Sequence, residues 1–434
     1  MMRKKIVSLC MALTLCLSLL PATALAAEGP VYGTIQVGGK ELTNSANASV
    51  VYATTDATTG TVTTEGATAE NYNVMWDGST LTLRDATIKE AKEYSDKSNE
   101  KIAVYRQSGD LAIALVGENT VDAPGNGTAA SCGINLGNGS LTISGEGDAS
   151  LSVFGGPTTN GNSCGIYARG TITIDSGTVT ATGESAAAAS SYGIYAGSFT
   201  IDGGAVTAVG GKAGGNSYGI YTLNNSNSIT VNGGTVNATS GEAYGDSVGI
   251  SAADPNNSDR NNVTINGGTV TATAGNTVGG GWYSCGIRAE GSITVNGGTV
   301  NVTGGNAAGT GEHSYSSGLF ADENITVNSG TVKATAGNAD GSGTYSYSFA
   351  LCARSNITIK GGTVAATAGN ADGSGTNNYS SGFFAYDNLT ISGGDVTGIG
   401  GTGEYSWGIA CNDILTIEGG TVVGKGGPLA GANI

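Results

Sequence analysis

The sequence predicts an all-β fold, a single-stranded right-handed parallel β-helix of about 12 coils with an N-terminal cap, and three observations predict it. First, the motif Ile293-Thr294-Val295-Asn296-Gly297-Gly298-Thr299-Val300 recurs along the chain, for instance as Val263 to Val270, Ile357 to Val364 and Leu415 to Val422. Second, each copy alternates apolar and polar residues on both sides of a glycine corner, the period-two signature of a strand. Third, the second apolar residue of each copy forms a series of twelve, from Leu83, Leu115, Ile143 and Ile174 to Ile391 and Ile417, spaced by 26 to 34 residues. Neither strand of a copy can bury its apolar face alone, so copies must stack.

At the start of the chain, residues 1–26 carry Arg3, Lys4 and Lys5, an apolar run from Ile6 to Leu20, and Ala24-Leu25-Ala26. That order is a secretory signal peptide. The run is short for a bilayer span of roughly 20 residues, and neither Cys10 nor Cys16 follows the small residue a lipoprotein site wants. The mature chain is therefore expected to be secreted, extracellular or associated with the cell surface.

Residues 27–80 repeat less clearly and are expected to cap the first coil, which would otherwise expose an apolar cross-section and open strand edges. Trp76 is expected to plug that end. The Lys- and Glu-rich stretch 89–101 is expected to be a short helix or a charged loop.

Residues 81–434 form the repeat domain. From Cys132 onward a third strand precedes the other two, as in Ser163-Cys164-Gly165-Ile166-Tyr167-Ala168, Ser191 to Ala196 and Ser217 to Thr222. Three short strands per unit give a triangular coil, and the handedness of parallel crossovers makes it right-handed. At about 4.8 Å per coil the rod is roughly 55–60 Å long. Helical repeats would need a 3.6-residue period, and propeller blades need longer units. The corner residues Asp175, Asp202, Asn232, Asn266, Asn296 and Asn328 are expected to stack into a polar ladder. No cap is evident after the last copy, so the final coil is expected to be open and available for end-to-end contact.

Composition excludes several functions. The formal net charge is −16. Without the leader's three basic residues it becomes 15 minus 34, or −19. An acidic chain without a basic patch suits neither nucleic acid nor anionic lipid. The five cysteines beyond the leader, Cys132, Cys164, Cys285, Cys352 and Cys411, lack zinc-site spacing and read as small buried hydrophobes.

Candidate binding residues follow from the strand period. With Ile166, Ile194 and Ile220 inward, Tyr167, Tyr195 and Tyr221 point outward on consecutive coils, and Phe320 and Phe384 occupy the same position further on. Such a row suits a sugar ring. It equally suits stacking that stabilises the sheet beneath long loops. A threonine array on the strand after the corner is broken by Lys333, Ala365 and Val423, which argues against ordered water as in ice-binding solenoids. The near-identical loops around Asn338 and Asp340 and around Asn370 and Asp372 offer oxygen ligands for calcium.

No catalytic residues are assigned. His313 has no neighbouring nucleophile or orienting carboxylate in its unit. Arg169, Arg260, Arg288 and Arg354 lack the acidic cluster in their units that a polysaccharide lyase would use.

The unit Ile-Thr-Val-Asn-Gly-Gly-Thr-Val with Ser-x-Gly-Ile-Tyr-Ala, behind Trp76-Asp77-Gly78-Ser79-Thr80-Leu81-Thr82-Leu83, resembles secreted carbohydrate-binding β-helix proteins of Gram-positive, plant-fibre-associated bacteria. The resemblance covers roughly residues 72–427. It implies a right-handed parallel β-helix, non-catalytic binding of plant-wall polysaccharide such as cellulose or pectin, and calcium in some members. The expected function is accordingly polysaccharide binding without catalysis. A structural adhesin or surface stalk is the alternative, and a polysaccharide lyase the third reading.

Overall fold

The computed structural model describes residues 33–94, 99–125, 127–223, 228–253 and 261–428. The leader, 1–26, lies outside them, as does Arg260. Every regular element among the described residues is a β-strand.

Each turn of the solenoid contributes to three parallel faces. The first face stacks the strands that begin at the repeated serine, from Glu100–Ser108 and Ser131–Asn138 to Asn377–Ala385 and Tyr405–Cys411. The second stacks the Ile-Thr-Val strands such as Ile293–Val295. The third is a twelve-stranded sheet, one strand per copy. In two turns the first two faces share one continuous strand, Ser163–Ile174 and Ser191–Ile201, with a register irregularity at Ala168 to Thr171. The first copy has no parallel strand on the first face. With the last described turn open on one side, this leaves about ten turns covered on both sides, fewer than the twelve copies.

In-register pairing sets like on like along the axis. Ile166, Ile194, Ile220, Ile250 and Ile287 follow one another on the first face, and each is fully or almost fully buried. Valines and alanines of the third sheet, such as Val270 and Ala272, close the same core from the other side. The corner needs glycine because its second residue is left-handed: φ is 80° at Gly298, a region costly for a side chain with a Cβ.

The corner ladder forms as expected. Asn232, Asn266, Asn296 and Asn328 each donate from Nδ2 to the Oδ1 one turn back, at 2.6–2.7 Å, beginning at Asp202.

Ahead of the solenoid, Thr34–Val37 pairs antiparallel with Lys40–Thr43 and with Glu100–Ser108. Val74–Trp76 pairs antiparallel with Thr80–Arg84. Trp76 is fully buried, donates its Nε1 hydrogen to Gly33 O at 2.9 Å, and lies under the Arg106 guanidinium. The stretch expected to be a helix or charged loop instead contains the strand Lys92–Tyr94, hairpinned onto Glu100–Ser108. Tyr94 explains the difference. Its ring packs on Tyr105 at 4.6 Å and anchors the segment to the first face.

Candidate functional site

Period two sends a second set of side chains outward from the first face, and the chain roofs much of that set. Segments returning after each strand, including Leu223, Ala253 and Tyr386, lie over it and create a second apolar layer outside the solenoid core. Tyr221 is 7% exposed, Phe320 0% and Phe384 9%. Phe320 sits between Tyr283 and Tyr315 with the Arg354 guanidinium 5.4 Å above its ring. Phe384 stacks on Phe349 at 4.7 Å. These three residues are therefore covered, and the stabilising reading holds for them.

Tyr167 and Tyr195 are different. They are half-buried, stack at 4.9 Å, and line a cleft of about 570 Å³ together with Tyr105, Asn135 and Arg169. The Arg169 Nε donates to the Tyr167 hydroxyl at 3.3 Å. That hydrogen bond raises the arginine pKa, so its charge is fixed. Burial, then the neighbouring Tyr167, pushes the Tyr195 phenol above its ordinary value, so it remains a neutral donor and acceptor.

Asn135 is the polar residue that sequence reasoning missed. It stands at the register position of Tyr167 one turn earlier, is 4% exposed, and donates from Nδ2 to Glu100 Oε1 at 3.4 Å. Its Oδ1 is buried and accepts no hydrogen bond from a described residue. A buried amide oxygen without a partner costs free energy unless something supplies a donor. The cleft thus combines ring surface, a fixed cation and an unmet acceptor. The register alignment of the two turns was the available signal.

A continuous aromatic stack runs beside it. Tyr283, Tyr315, Tyr347, Tyr379 and Tyr405 follow at 5.2, 4.6, 5.5 and 4.8 Å, with planes within 24° of parallel. Stacked this way, the rings cover one another's faces and present edges and hydroxyls outward. His313 belongs to this layer, stacked on Tyr345 at 4.7 Å and 5.0 Å from Trp282.

Stacking also assembles charges that no single repeat contains. Arg288 lies 3.6 Å from Asp322 and 3.8 Å from Glu290, with its guanidinium over the Tyr283 ring, and Arg354 reaches Asp322 at 3.0 Å. The expectation that Arg288 and Arg354 lack acidic neighbours is corrected here, because the partners come from adjacent turns. Arg354 also donates to the Tyr283 hydroxyl at 3.0 Å, tying the cluster to the aromatic layer.

The loops with oxygen ligands stack as their near-identity suggests. Asn338 Oδ1 accepts from Asn370 N at 3.0 Å, and Asn370 Oδ1 accepts from Thr402 N at 3.0 Å. The amide oxygens are thus already engaged along the axis. Burial, then the charge of Asp372, raises the Asp340 pKa. Two carboxylates and backbone carbonyls remain to build a calcium shell of six to eight oxygens. Among the described residues no three His, Cys, Asp or Glu side chains converge on a metal-sized site.

The five cysteines are free thiols. Cys132 and Cys164 pair in register but pack in the outer layer with Tyr94, Ile102 and Tyr105 rather than in the inner core.

Residues 216–373 match the family model described as carbohydrate-binding domain-containing protein. The matched stretch holds Tyr221, Phe320 and the stacked loops, and the same repeat continues upstream of it to the cleft. No curated protein and no solved structure matches the chain. Among the described residues no helix is long and apolar enough to cross a membrane.

Proposed function

We propose that this protein is a secreted, non-catalytic binder of plant-wall polysaccharide that holds a sugar in the Tyr167–Tyr195 cleft. The family match and the β-solenoid support carbohydrate binding in general. The observation that carries the site is the buried Asn135 Oδ1, unpartnered among the described residues and set beside two half-exposed rings. A pyranose presents apolar C–H faces and a rim of hydroxyls. The faces would lie on the tyrosine rings, and one hydroxyl would supply the missing donor.

Replacing Tyr167 and Tyr195 by alanine is expected to weaken binding of soluble cello- and pectin-derived oligosaccharides about tenfold or more, with the circular dichroism of the fold unchanged. Unaltered affinity in that variant would remove the cleft as the site. The stalk reading draws on one observation, the burial of Tyr221, Phe320 and Phe384 under the roof, which gives those rings a structural role. Release of unsaturated oligosaccharides from pectin would favour the lyase instead.

A further inference from the structure

Large apolar side chains are mostly buried in this chain, but Tyr244 is 59% and Trp282 43% exposed. Both stand on loops that lead from the third sheet back to the first, on neighbouring turns. These loops are fixed. Bridges run along the axis through Ala213, Ala243, Thr277 and Ala307. Asp246 Oδ1 accepts the backbone hydrogens of Trp282 and Tyr283 at 2.9 and 3.0 Å, and Asn216 Oδ1 accepts that of Asp246 at 2.8 Å.

Each ring rests on a glycine of the following turn. A Cβ on Gly279 would lie 2.3 Å from Cγ of Tyr244, and one on Gly311 would lie 3.2 Å from the Trp282 ring. Bare backbone therefore supports the rings closely. Gly280, between them, has open space where a side chain would be. The result is a shallow depression of about 480 Å³ with a glycine floor and two aromatic walls.

We propose that Tyr244 and Trp282 form a second sugar-stacking platform, for a neutral β-linked glucan chain lying along the solenoid axis. The proposal rests on the carbohydrate-binding reading but uses different residues, and both lie within the family-matched stretch, 216–373. Neutral sugar follows from charge. No lysine or arginine lines the depression, and Asp246 is engaged by the backbone. A polyuronate would meet an acidic chain with no cation to receive its carboxylates. Two rings held before the ligand arrives also lose little freedom on binding.

The test measures binding isotherms on microcrystalline cellulose for the full chain, for Y244A/W282A and for Y167A/Y195A. The platform predicts about tenfold weaker binding for Y244A/W282A, with unchanged circular dichroism because both side chains are exposed. Cellohexaose should also shield Trp282 of the unaltered chain from acrylamide quenching, a readout independent of the variant's folding. Cellulose binding by Y244A/W282A equal to that of the unaltered chain, or unshielded Trp282, overturns the platform while leaving the cleft standing. Failure of the unaltered chain to bind cellulose or pectin overturns both.

Discussion

At the scale of single residues, the site is defined by what solvent and neighbours leave unmet. Tyr167, Tyr195 and Tyr221 occupy one register position on three turns, yet the roof covers the third and spares the first two. Asn135, one turn earlier, replaces the ring by an amide whose oxygen is buried and unpartnered among the described residues. Asp340 is a second residue whose setting makes a prediction. Its folded pKa is raised by burial and then by Asp372, so the folded state holds a proton that the unfolded state releases. Stability is therefore expected to fall as pH rises from the ordinary value of 3.8 through the raised one. Asp372→Asn should flatten that part of the profile, as followed by thermal melts across pH. A profile identical to that of the unaltered chain would show that the two carboxylates do not interact.

At the scale of elements, two devices hold the coil together, and they differ in how far the sequence exposed them. The corner ladder was legible because Asn and Asp recur before the Gly-Gly corner, where their side chains complete turns. The serine that opens each first-face strand was visible as a repeat, but its role was not. Ser217 Oγ donates to Gly211 O and accepts from Gly241 N, both at 2.8 Å, joining the end of one third-sheet strand to the next turn. Ser217→Ala would strand both buried backbone groups and should cost about 1–3 kcal/mol in denaturant unfolding. An unchanged midpoint would mean that the backbone finds other partners. The outward strand face was legible as to direction but not as to cover. Period two fixes which side a residue points to, whereas the roof depends on long-range returns by Leu223, Ala253 and Tyr386 that no local pattern encodes. The charged stretch near Lys92 became a strand for the same reason, since Tyr94 gains more by packing on Tyr105 than its neighbours gain from a helix. The cluster of Arg288, Arg354, Asp322 and Glu290 likewise comes from stacking distinct turns.

At the scale of the whole molecule, the solenoid turns sequence repetition into rows along one axis, at about 4.8 Å per turn. Sites on different turns of such a rod can engage one extended polymer, and the second contact then forms at high effective concentration. The cleft at Tyr167 and Tyr195 and the platform at Tyr244 and Trp282 would together give avidity beyond either alone. With a formal net charge of −16, the rod should meet neutral and anionic polymers differently. Binding to an acidic gel should strengthen as salt or calcium screens the repulsion, and binding to cellulose should not. The most direct test is equilibrium binding of the chain to insoluble cellulose and to pectin gels, with and without a calcium chelator. Retention on at least one of them, reduced in Y167A/Y195A, is the predicted result. A chain that stays in the supernatant with both polymers, calcium present or absent, would contradict the carbohydrate-binding account and leave the rod as a stalk.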